Sequence, residues 1–322
     1  MKTFFASLKN RVKISVINKT LKELAGLVEK KMGSYITFHE RPIHPSMLRD
    51  FHEQPEKSLP KTAVVIQGPI LKTDDFTLES VKLYRKNFSQ SLIIVSTWKD
   101  ENPEYLEKIK KEGAVIVLSE KPAYPGPKNL NMQLVSAGNG MKKAKELGAL
   151  YAMKTRTDQR MYGRHVMEFL VNMAEMFPPA PESKQKRRLV GVGGGALKYN
   201  IYHFSDVFNF GQIDDMVLYW NPKLVTLGDL ELKRDDSTSN LISESYLITE
   251  FLKANGMSPK MTHEDWWRSA ARYCVLIDTP SLDVYWPKYA KYREYRLISY
   301  IYPVKEVSFA EWVNFYKKYN SH

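Results

Sequence analysis

Short apolar runs alternate with longer amphipathic segments over residues 62–177. Four apolar runs predict buried strands: residues 62–66, 92–95, 114–118 and 150–153. Residues 75–88, 102–111, 129–147 and 166–177 have apolar positions at helical spacing and predict helices. Strands without polar alternation are typical of parallel sheets that are covered on both faces. The pattern therefore predicts an α/β fold with a doubly wound, mostly parallel sheet, helices on both faces and right-handed crossovers.

Later in the chain the pattern is less regular. Residues 243–254 predict a helix with Ser243 as its N-cap, and another helix is expected after Trp266 and Trp267. Residues 191–195 include four glycines but lack the spacing of a phosphate-binding loop. We therefore expect a close-packed bend or a mobile loop at that position.

Basic segments flank the predicted core. Residues 1–60 have apolar positions at mixed helical spacing with lysines between them, which predicts an amphipathic helical N-terminal extension. This extension would either dock on the main domain, residues 61–280, or lie on an anionic membrane surface. Residues 281–322 are basic and aromatic and predict a C-terminal extension that packs on the main domain. No apolar run approaches the roughly 18–20 residues that span a bilayer.

The net charge limits the class of partner without choosing one. The chain has 322 residues and a net charge of +12, which favours phosphorylated substrates, anionic lipid or nucleic acid. Cys274 is the only cysteine, so an internal disulfide is excluded, and a reducing cytoplasm fits this composition. Because Cys274 lies in an apolar run, we interpret it as a core residue.

Polar side chains follow three of the predicted strands. They are Gln67, Gly68 and Pro69 after the first strand, Thr97 and Trp98 after the second, and Lys154, Arg156 and Asp158 after the fourth. The carboxyl ends of parallel strands meet at one edge of a sheet, where open α/β folds bind ligands. We expect a nucleotide pocket there, with Trp98 stacking on the base and Lys154 and Arg156 contacting phosphate.

Four segments resemble the WavE family of bacterial lipopolysaccharide-synthesis proteins. They are Val64-Val-Ile-Gln-Gly-Pro-Ile70, Ile94-Val-Ser-Thr-Trp98, Asn129-Leu-Asn-Met-Gln133 and Lys154-Thr-Arg-Thr-Asp-Gln-Arg160. The likeness covers about residues 61–252. It implies a GT-A-like nucleotide-sugar-binding and catalytic domain, and a glycosyltransferase of lipopolysaccharide core, capsule or related glycan synthesis. The resemblance adds Asn131 and Gln133 to the expected donor site.

A divalent cation is a second implication of this resemblance. GT-A enzymes commonly hold Mn²⁺ or Mg²⁺ against the donor diphosphate with an Asp-x-Asp pair at a strand end. The matching position here has one carboxylate, Asp158, which would act as the metal ligand. Alternatively, Lys154, Arg156 and Arg160 would neutralise the diphosphate without a metal.

Glycosyl transfer by inversion also needs a base for the acceptor hydroxyl. We expect Asp214 and Asp215 in this role, because they lie among apolar residues that would raise a carboxyl pKa. Glu244 is the second choice. Loop capping by the aspartates and first-turn helix stabilisation by Glu244 are the structural alternatives. The spacing of the remaining candidate metal ligands matches no standard zinc site; they are His203, His263, Glu264 and Asp265.

The expected partners are a nucleotide-sugar donor and a glycan or lipid-linked acceptor. The expected location is the cytoplasm, with peripheral contact at the inner face of the membrane. Two other functions stay open: a basic nucleic-acid-binding protein and a non-catalytic scaffold of a glycan-assembly complex. The sequence has no recognised nucleic-acid-binding motif, so nucleic acid is not among the expected partners.

Overall fold

A central sheet organises the computed structural model, which describes residues 2–33, 41–47, 59–193, 196–228, 243–288 and 306–320. Seven of the described strands form the sheet in the order β3-β2-β1-β4-β7-β6-β8. They are β1 (Thr62–Gln67), β2 (Leu92–Trp98), β3 (Val115–Ser119), β4 (Tyr151–Arg156), β6 (Leu189–Val192), β7 (Asn209–Gln212) and β8 (Cys274–Ile277). Only β7 runs antiparallel to its neighbours in this sheet.

Two short strands form a separate antiparallel pair. These are β5 (Arg160–Met161) and β9 (Val284–Tyr285), in which Arg160 lies opposite Tyr285. The α-helices of the described residues are α1 (Lys2–Met32), α2 (Phe76–Asn87), α3 (Pro103–Lys111), α4 (Leu130–Glu146), α5 (Val166–Met176), α6 (Ile213–Tyr219), α7 (Ser243–Ala254), α8 (His263–Tyr273) and α9 (Phe309–Asn320). The chain divides into two compact units, of which the smaller contains α1 and the larger contains the sheet.

Helices cover the sheet on both faces. On one face, α4 approaches β1 closely, because a Cβ on Gly140 would lie 2.4 Å from Cγ1 of Val65. On the other face, Tyr84 of α2 interacts with Thr155 of β4. Val65 and Thr155 point to opposite faces because Val65 pairs with Lys154 and side chains alternate along a strand. This architecture confirms the predicted α/β fold class, a mostly parallel sheet with helices on both faces.

The helical additions at both ends are also present. In the larger unit, α9 packs on α8, where Nε1 of the buried Trp312 donates a hydrogen bond to the carbonyl oxygen of Ala270 at 3.0 Å. The ring of Phe177 contacts Trp312 edge-on at 4.8 Å between centroids. In the smaller unit, α1 is a single helix of 31 residues. None of the helices in the described part of the chain is both long enough and apolar enough to cross a bilayer.

Two local expectations need correction. Gly191 and Val192 belong to β6 and are buried, so the glycine-rich segment begins as a strand rather than a bend or loop; residues 194–195 lie outside the described residues. Finally, α8 begins at His263 rather than after the two tryptophans, because Thr262 caps it by accepting a hydrogen bond from the Asp265 N–H.

Candidate functional site

The carboxyl ends of β1, β2 and β4 are joined by hydrogen bonds. The N–H of Gly68 donates to the carbonyl oxygen of Ser96 at 3.1 Å, and the N–H of Thr157 donates to that of Gln67 at 3.0 Å. The Thr157 hydroxyl donates to the carbonyl oxygen of Pro69 at 2.6 Å. Gly68 has φ +125°, and a Cβ there would lie 2.9 Å from the Thr157 hydroxyl oxygen. The fold therefore brings Gln67, Gly68 and Pro69 beside the β4 end.

Arg156 and Asp158 form a two-point ion pair just beyond β4. Nε of Arg156 lies 2.8 Å from Oδ1 of Asp158, and Nη2 lies 3.0 Å from Oδ2. The indole N–H of Trp286 also donates to Oδ2 at 3.0 Å, and the Arg156 guanidinium lies 4.9 Å from the Trp286 ring centre. Burial would raise the pKa of Asp158, but the hydrogen bonds from Arg156 and Trp286 hold it below its usual value.

These contacts bear on whether Asp158 suits a divalent cation. Both of its carboxylate oxygens already accept hydrogen bonds from Arg156, and one of them also accepts from Trp286. A cation ligated by Asp158 would lie beside the guanidinium charge, which disfavours its binding. In the described segments, no group of three or more His, Cys, Asp or Glu residues is arranged to hold a metal. The residues around Asp158 therefore do not fit Mn²⁺ or Mg²⁺ in this arrangement.

Arg160, the third expected phosphate contact, is a structural residue. Its side chain is buried and donates hydrogen bonds to the hydroxyl of Ser80 and to the carbonyl oxygens of Ile43 and Phe76. The guanidinium also lies 4.2 Å from the ring centre of Phe76. Arg160 therefore joins β5 to α2 and is not presented to a ligand.

Lys154 is fully buried near the end of β4. Its ammonium donates to the carbonyl oxygen of Asp206 at 2.5 Å and lies 4.7 Å from the ring centre of Trp220. Burial lowers the pKa of Lys154 to about 7, against the attraction of the Asp206 charge. The exposure of Lys154 is 0%, so its side chain does not contact a ligand directly. The phosphate contact that we expected of Lys154 is therefore wrong.

Two further carboxyl groups lie close to Lys154. Asp206 is buried and accepts a hydrogen bond from Nε2 of Gln133 at 2.8 Å. Glu244 lies in the first turn of α7 and is partly exposed. Burial and the nearby negative charge of Asp206 raise the pKa of Glu244. A partly exposed carboxyl group with a raised pKa has the properties of a general base.

Asp214 and Asp215 lie at the opposite edge of the sheet. Because β7 is antiparallel to β4, its last residue, Gln212, pairs with Tyr151 at the beginning of β4. Asp214 forms surface ion pairs with Lys145 and Lys186, and the hydrogen bonds from Lys145 and then Lys186 lower its pKa to about 2. The structure does not bring these two aspartates together with Lys154.

Asp215 has a local role in the chain. Its carboxylate accepts hydrogen bonds at 2.9 Å from the backbone N–H groups of both Lys186 and Arg187. Burial raises its pKa to about 6 despite these bonds. The contacts are those of loop capping, the structural alternative for this residue.

Three other expected donor-site residues are engaged within the fold. Trp98 is only 3% exposed, so its ring offers no open face for a base. Thr97 is buried, with its hydroxyl 3.3 Å from the Glu101 carboxylate. Asn131 is buried and exchanges hydrogen bonds with the backbone of Val225 at 2.8 and 2.9 Å. These three side chains are buried within the fold and do not line an open surface.

Sequence reasoning missed Asp206 and Trp286. Asp206 precedes β7, and the antiparallel direction of this strand places its start beside Lys154 at the carboxyl edge. Trp286 follows β9, whose pairing with β5 places the indole next to Asp158. Neither strand direction nor this two-residue pairing has a signal in the pattern of apolar residues, so neither residue was predicted.

Solved structures with a similar course of chain include three transferases. A mannosyltransferase from Pyrobaculum calidifontis in complex with GDP-Man and Mn²⁺ is 10% identical, with a TM-score of 0.34; the match covers 69% of this chain and 65% of that one. A putative glucose-1-phosphate thymidylyltransferase from Bacillus anthracis in complex with a sucrose has a TM-score of 0.33, 10% identity, and coverage of 60% and 83%.

The third is the inositol-1-phosphate CTP transferase from T. maritima, with a TM-score of 0.31, 9% identity, and coverage of 62% and 83%. TM-scores this low do not identify equivalent site residues. No curated protein sequence matches the chain. The family model described as WavE lipopolysaccharide synthesis matches residues 62–320. Since that match covers most of the chain, the protein belongs to the WavE lipopolysaccharide synthesis family.

Proposed function

We propose that the protein is a glycosyltransferase that moves a sugar from a nucleotide-sugar donor to a glycan or lipid-linked acceptor. The product would be lipopolysaccharide core, capsule or a related surface polysaccharide. The main support is the clustering of the Arg156–Asp158 pair, Asp206 and Glu244 around the carboxyl end of β4 in a member of this family. Ligands of open α/β sheets bind at this edge.

Glycosyl transfer requires that negative charge on the departing nucleoside diphosphate be stabilised. Arg156 is the group for this role, because its side chain is 22% exposed at the end of β4 and its planar fork suits phosphate oxygens. Gly68 allows the donor to approach the backbone at the neighbouring strand end. Arg156 would perform this role without a metal ion at Asp158, because the Asp158 carboxylate is already bound by Arg156 and Trp286.

The acceptor hydroxyl must lose a proton as the new glycosidic bond forms. Glu244 would take that proton in an inverting reaction, because it is partly exposed and its pKa is raised towards the working range of a base. Asp206 supports this role by disfavouring a second negative charge nearby. Gln133 donates a hydrogen bond to the Asp206 carboxylate and Lys154 donates to the Asp206 carbonyl oxygen, so the charged groups that interact with Glu244 are held in place.

A transfer assay tests the proposal. Purified protein is incubated with a panel of radiolabelled UDP-, GDP-, ADP- and CDP-sugars and with truncated lipopolysaccharide or lipid-linked oligosaccharide as acceptor. Donors are first selected by thermal shift, since a ligand that binds only the folded state raises its stability. We expect label in the acceptor fraction for one donor class. Donor binding without transfer or hydrolysis over the whole panel would favour the scaffold function instead.

The first 33 residues support contact with an anionic membrane at the inner face, where a lipid-linked acceptor would be found. They contain eight Lys and Arg and two Glu, so they carry half of the net charge of +12. In α1, the side chains of Val16, Ile17, Leu24 and Leu27 are each more than half exposed. At 3.6 residues per turn these four lie on one side of the helix. Basic residues with such an apolar side suit an anionic lipid interface.

Cosedimentation with vesicles tests this partner. Wild-type protein should bind vesicles of phosphatidylglycerol and phosphatidylethanolamine, and binding should fall with added salt. The double substitution Leu24→Ser with Leu27→Ser should weaken binding at least about tenfold, since each leucine loses about 2 kcal/mol of burial. Leu218→Ser, at an exposed leucine of α6, is the control. Equal binding by all three proteins would rule out α1 as the lipid contact.

A further inference from the structure

Asp158 accepts three hydrogen bonds from two side chains that also contact each other. Arg156 approaches it with two nitrogens, at 2.8 and 3.0 Å, and Trp286 donates its indole N–H at 3.0 Å. The same indole ring lies against the guanidinium, 4.9 Å from ring centre to Cζ. Three groups in mutual contact restrict the Arg156 side chain to one orientation.

The backbone fixes both sides of this arrangement. Arg156 is the last residue of β4, and the N–H of Thr157 is bound to the β1 carbonyl oxygen of Gln67 at 3.0 Å. On the other side, the N–H of Tyr162 donates to the carbonyl oxygen of Asp283 at 3.0 Å beside the β5–β9 pair. Trp286 follows that pair directly. The indole therefore approaches the end of β4 from a separate part of the chain that is held in register.

The charges also distinguish this arrangement from a metal site. The guanidinium of Arg156 neutralises the charge of Asp158, which would otherwise attract a divalent cation. The same ion pair occupies both carboxylate oxygens. Arg156 keeps a partly exposed side chain at the edge where donor phosphates are expected. A guanidinium whose orientation is already restricted by a carboxylate and an indole loses less conformational entropy on binding phosphate than an unrestricted arginine side chain does.

We propose that Asp158 is a positioning residue for Arg156, and that Arg156, held by Asp158 and Trp286, binds the donor diphosphate without a divalent cation at Asp158. This inference rests on the proposed donor class, a nucleoside diphosphate sugar. It replaces the metal-ligand role of Asp158 with an indirect one. The group that touches phosphate is Arg156, and the other two determine its orientation.

A double-mutant cycle measured by calorimetric binding tests the inference. The probe is whichever of UDP, GDP, ADP and CDP binds the full-length wild-type protein most tightly, in EDTA and again with Mg²⁺. We expect binding in EDTA, with less than about a threefold gain from Mg²⁺. Arg156→Ala should weaken binding about a hundredfold and Asp158→Ala about tenfold, as for the loss of charge-assisted contacts. In the Arg156→Ala background, Asp158→Ala should have no further effect, because neighbours acting through one contact are not additive.

Milder variants and a matched control keep the test decisive if Asp158→Ala fails to fold. Asp158→Asn keeps the side-chain shape and should weaken binding severalfold, and Trp286→Phe keeps the ring but removes the N–H and should do the same. Asp100 pairs with Lys121 beyond the end of β2, so Asp100→Asn removes a different carboxylate–cation pair and should leave affinity unchanged. Thermal unfolding of each variant verifies that it is folded.

Three outcomes would overturn the inference. They are binding that requires Mg²⁺ and loses this requirement in Asp158→Asn, additive losses in the double mutant, and no binding of any of the four nucleotides with or without Mg²⁺. The proposed function is tested separately by sugar transfer. If the protein binds nucleoside diphosphate through Arg156 in EDTA but transfers no sugar, the inference stands and the proposed function is contradicted. If it transfers sugar but its nucleotide binding depends on Mg²⁺ at Asp158, the proposed function stands and the inference is contradicted.

Discussion

Lys154 gives the most quantitative prediction, because its side chain is fully buried and its pKa is lowered from 10.5 to about 7. In the unfolded chain this lysine stays protonated up to about pH 10. In the folded protein it loses its proton near pH 7, so the unfolded state binds more protons between these values. Stability that depends on Lys154 therefore rises with pH in this window, by up to about 1.4 kcal/mol per pH unit.

The substitution Lys154→Met isolates this effect, since it removes the titrating group and keeps a long apolar side chain. We expect the free energy of unfolding of the wild type to gain about 2 kcal/mol relative to the variant between about pH 7 and about pH 9. The assay is urea unfolding of both proteins at several pH values, analysed by linear extrapolation. Lys142→Met, at an exposed lysine of α4, is the control for loss of a lysine.

A difference between wild type and Lys154→Met that stays constant over this pH range would refute the reasoning. It would mean that Lys154 keeps its proton in the folded state, and that the contacts with Asp206 and Trp220 fully compensate the cost of burying the ammonium. The difference in the free energy of unfolding between wild type and the Lys142→Met control is expected to stay constant over this pH range, because Lys142 is exposed.

Three other substitutions have defined outcomes. Gly140→Ala should destabilise the protein by about 1–3 kcal/mol in urea unfolding, because the added Cβ would lie 2.4 Å from Val65. Glu244→Gln should lower turnover by about a hundredfold or more. Wild-type turnover should increase as pH rises through the raised pKa of Glu244, since the base must be deprotonated. Wild-type turnover in the Glu244→Gln variant would exclude Glu244 as the base. Asp214→Asn should leave turnover unchanged and alter stability by less than about 1 kcal/mol, because the Lys145 and Lys186 pairs are at the surface of the opposite edge; a loss of turnover would return Asp214 to the candidate bases.

Strands β1 to β4 could be predicted from the sequence because each contains a short apolar run between amphipathic segments, whereas β6, β7 and β8 were not predicted. The extent of β4 could not. The sequence suggests that this strand stops at Met153, since lysine and arginine are seldom buried, yet β4 continues to Arg156. Lys154 faces Trp220 and the Asp206 backbone, whose contacts permit its burial. A tertiary contact 52 residues away in sequence thus decides where the strand ends.

The edge of the sheet on which the candidate site lies could be expected from the sequence, whereas the side chains that meet there could not. Parallel strands were expected, and their carboxyl ends do meet at one edge. The direction of β7 has no counterpart in the apolar pattern, and this single reversal separates Asp214 from the β4 end while it brings Asp206 there. Trp98 illustrates a second limit, because an aromatic residue at a strand end serves equally well as a core residue or a stacking surface, and its 3% exposure places it in the core.

The pairing of β5 with β9 has a practical consequence for engineering. A shortened protein that stops at residue 280 would retain every strand of the seven-stranded sheet. It would nevertheless lose Trp286, whose indole binds Asp158, and Trp312, which is buried against α8. A chimera that exchanges the chain beyond residue 280 must therefore keep residues 284–286 and Trp312 of the original protein.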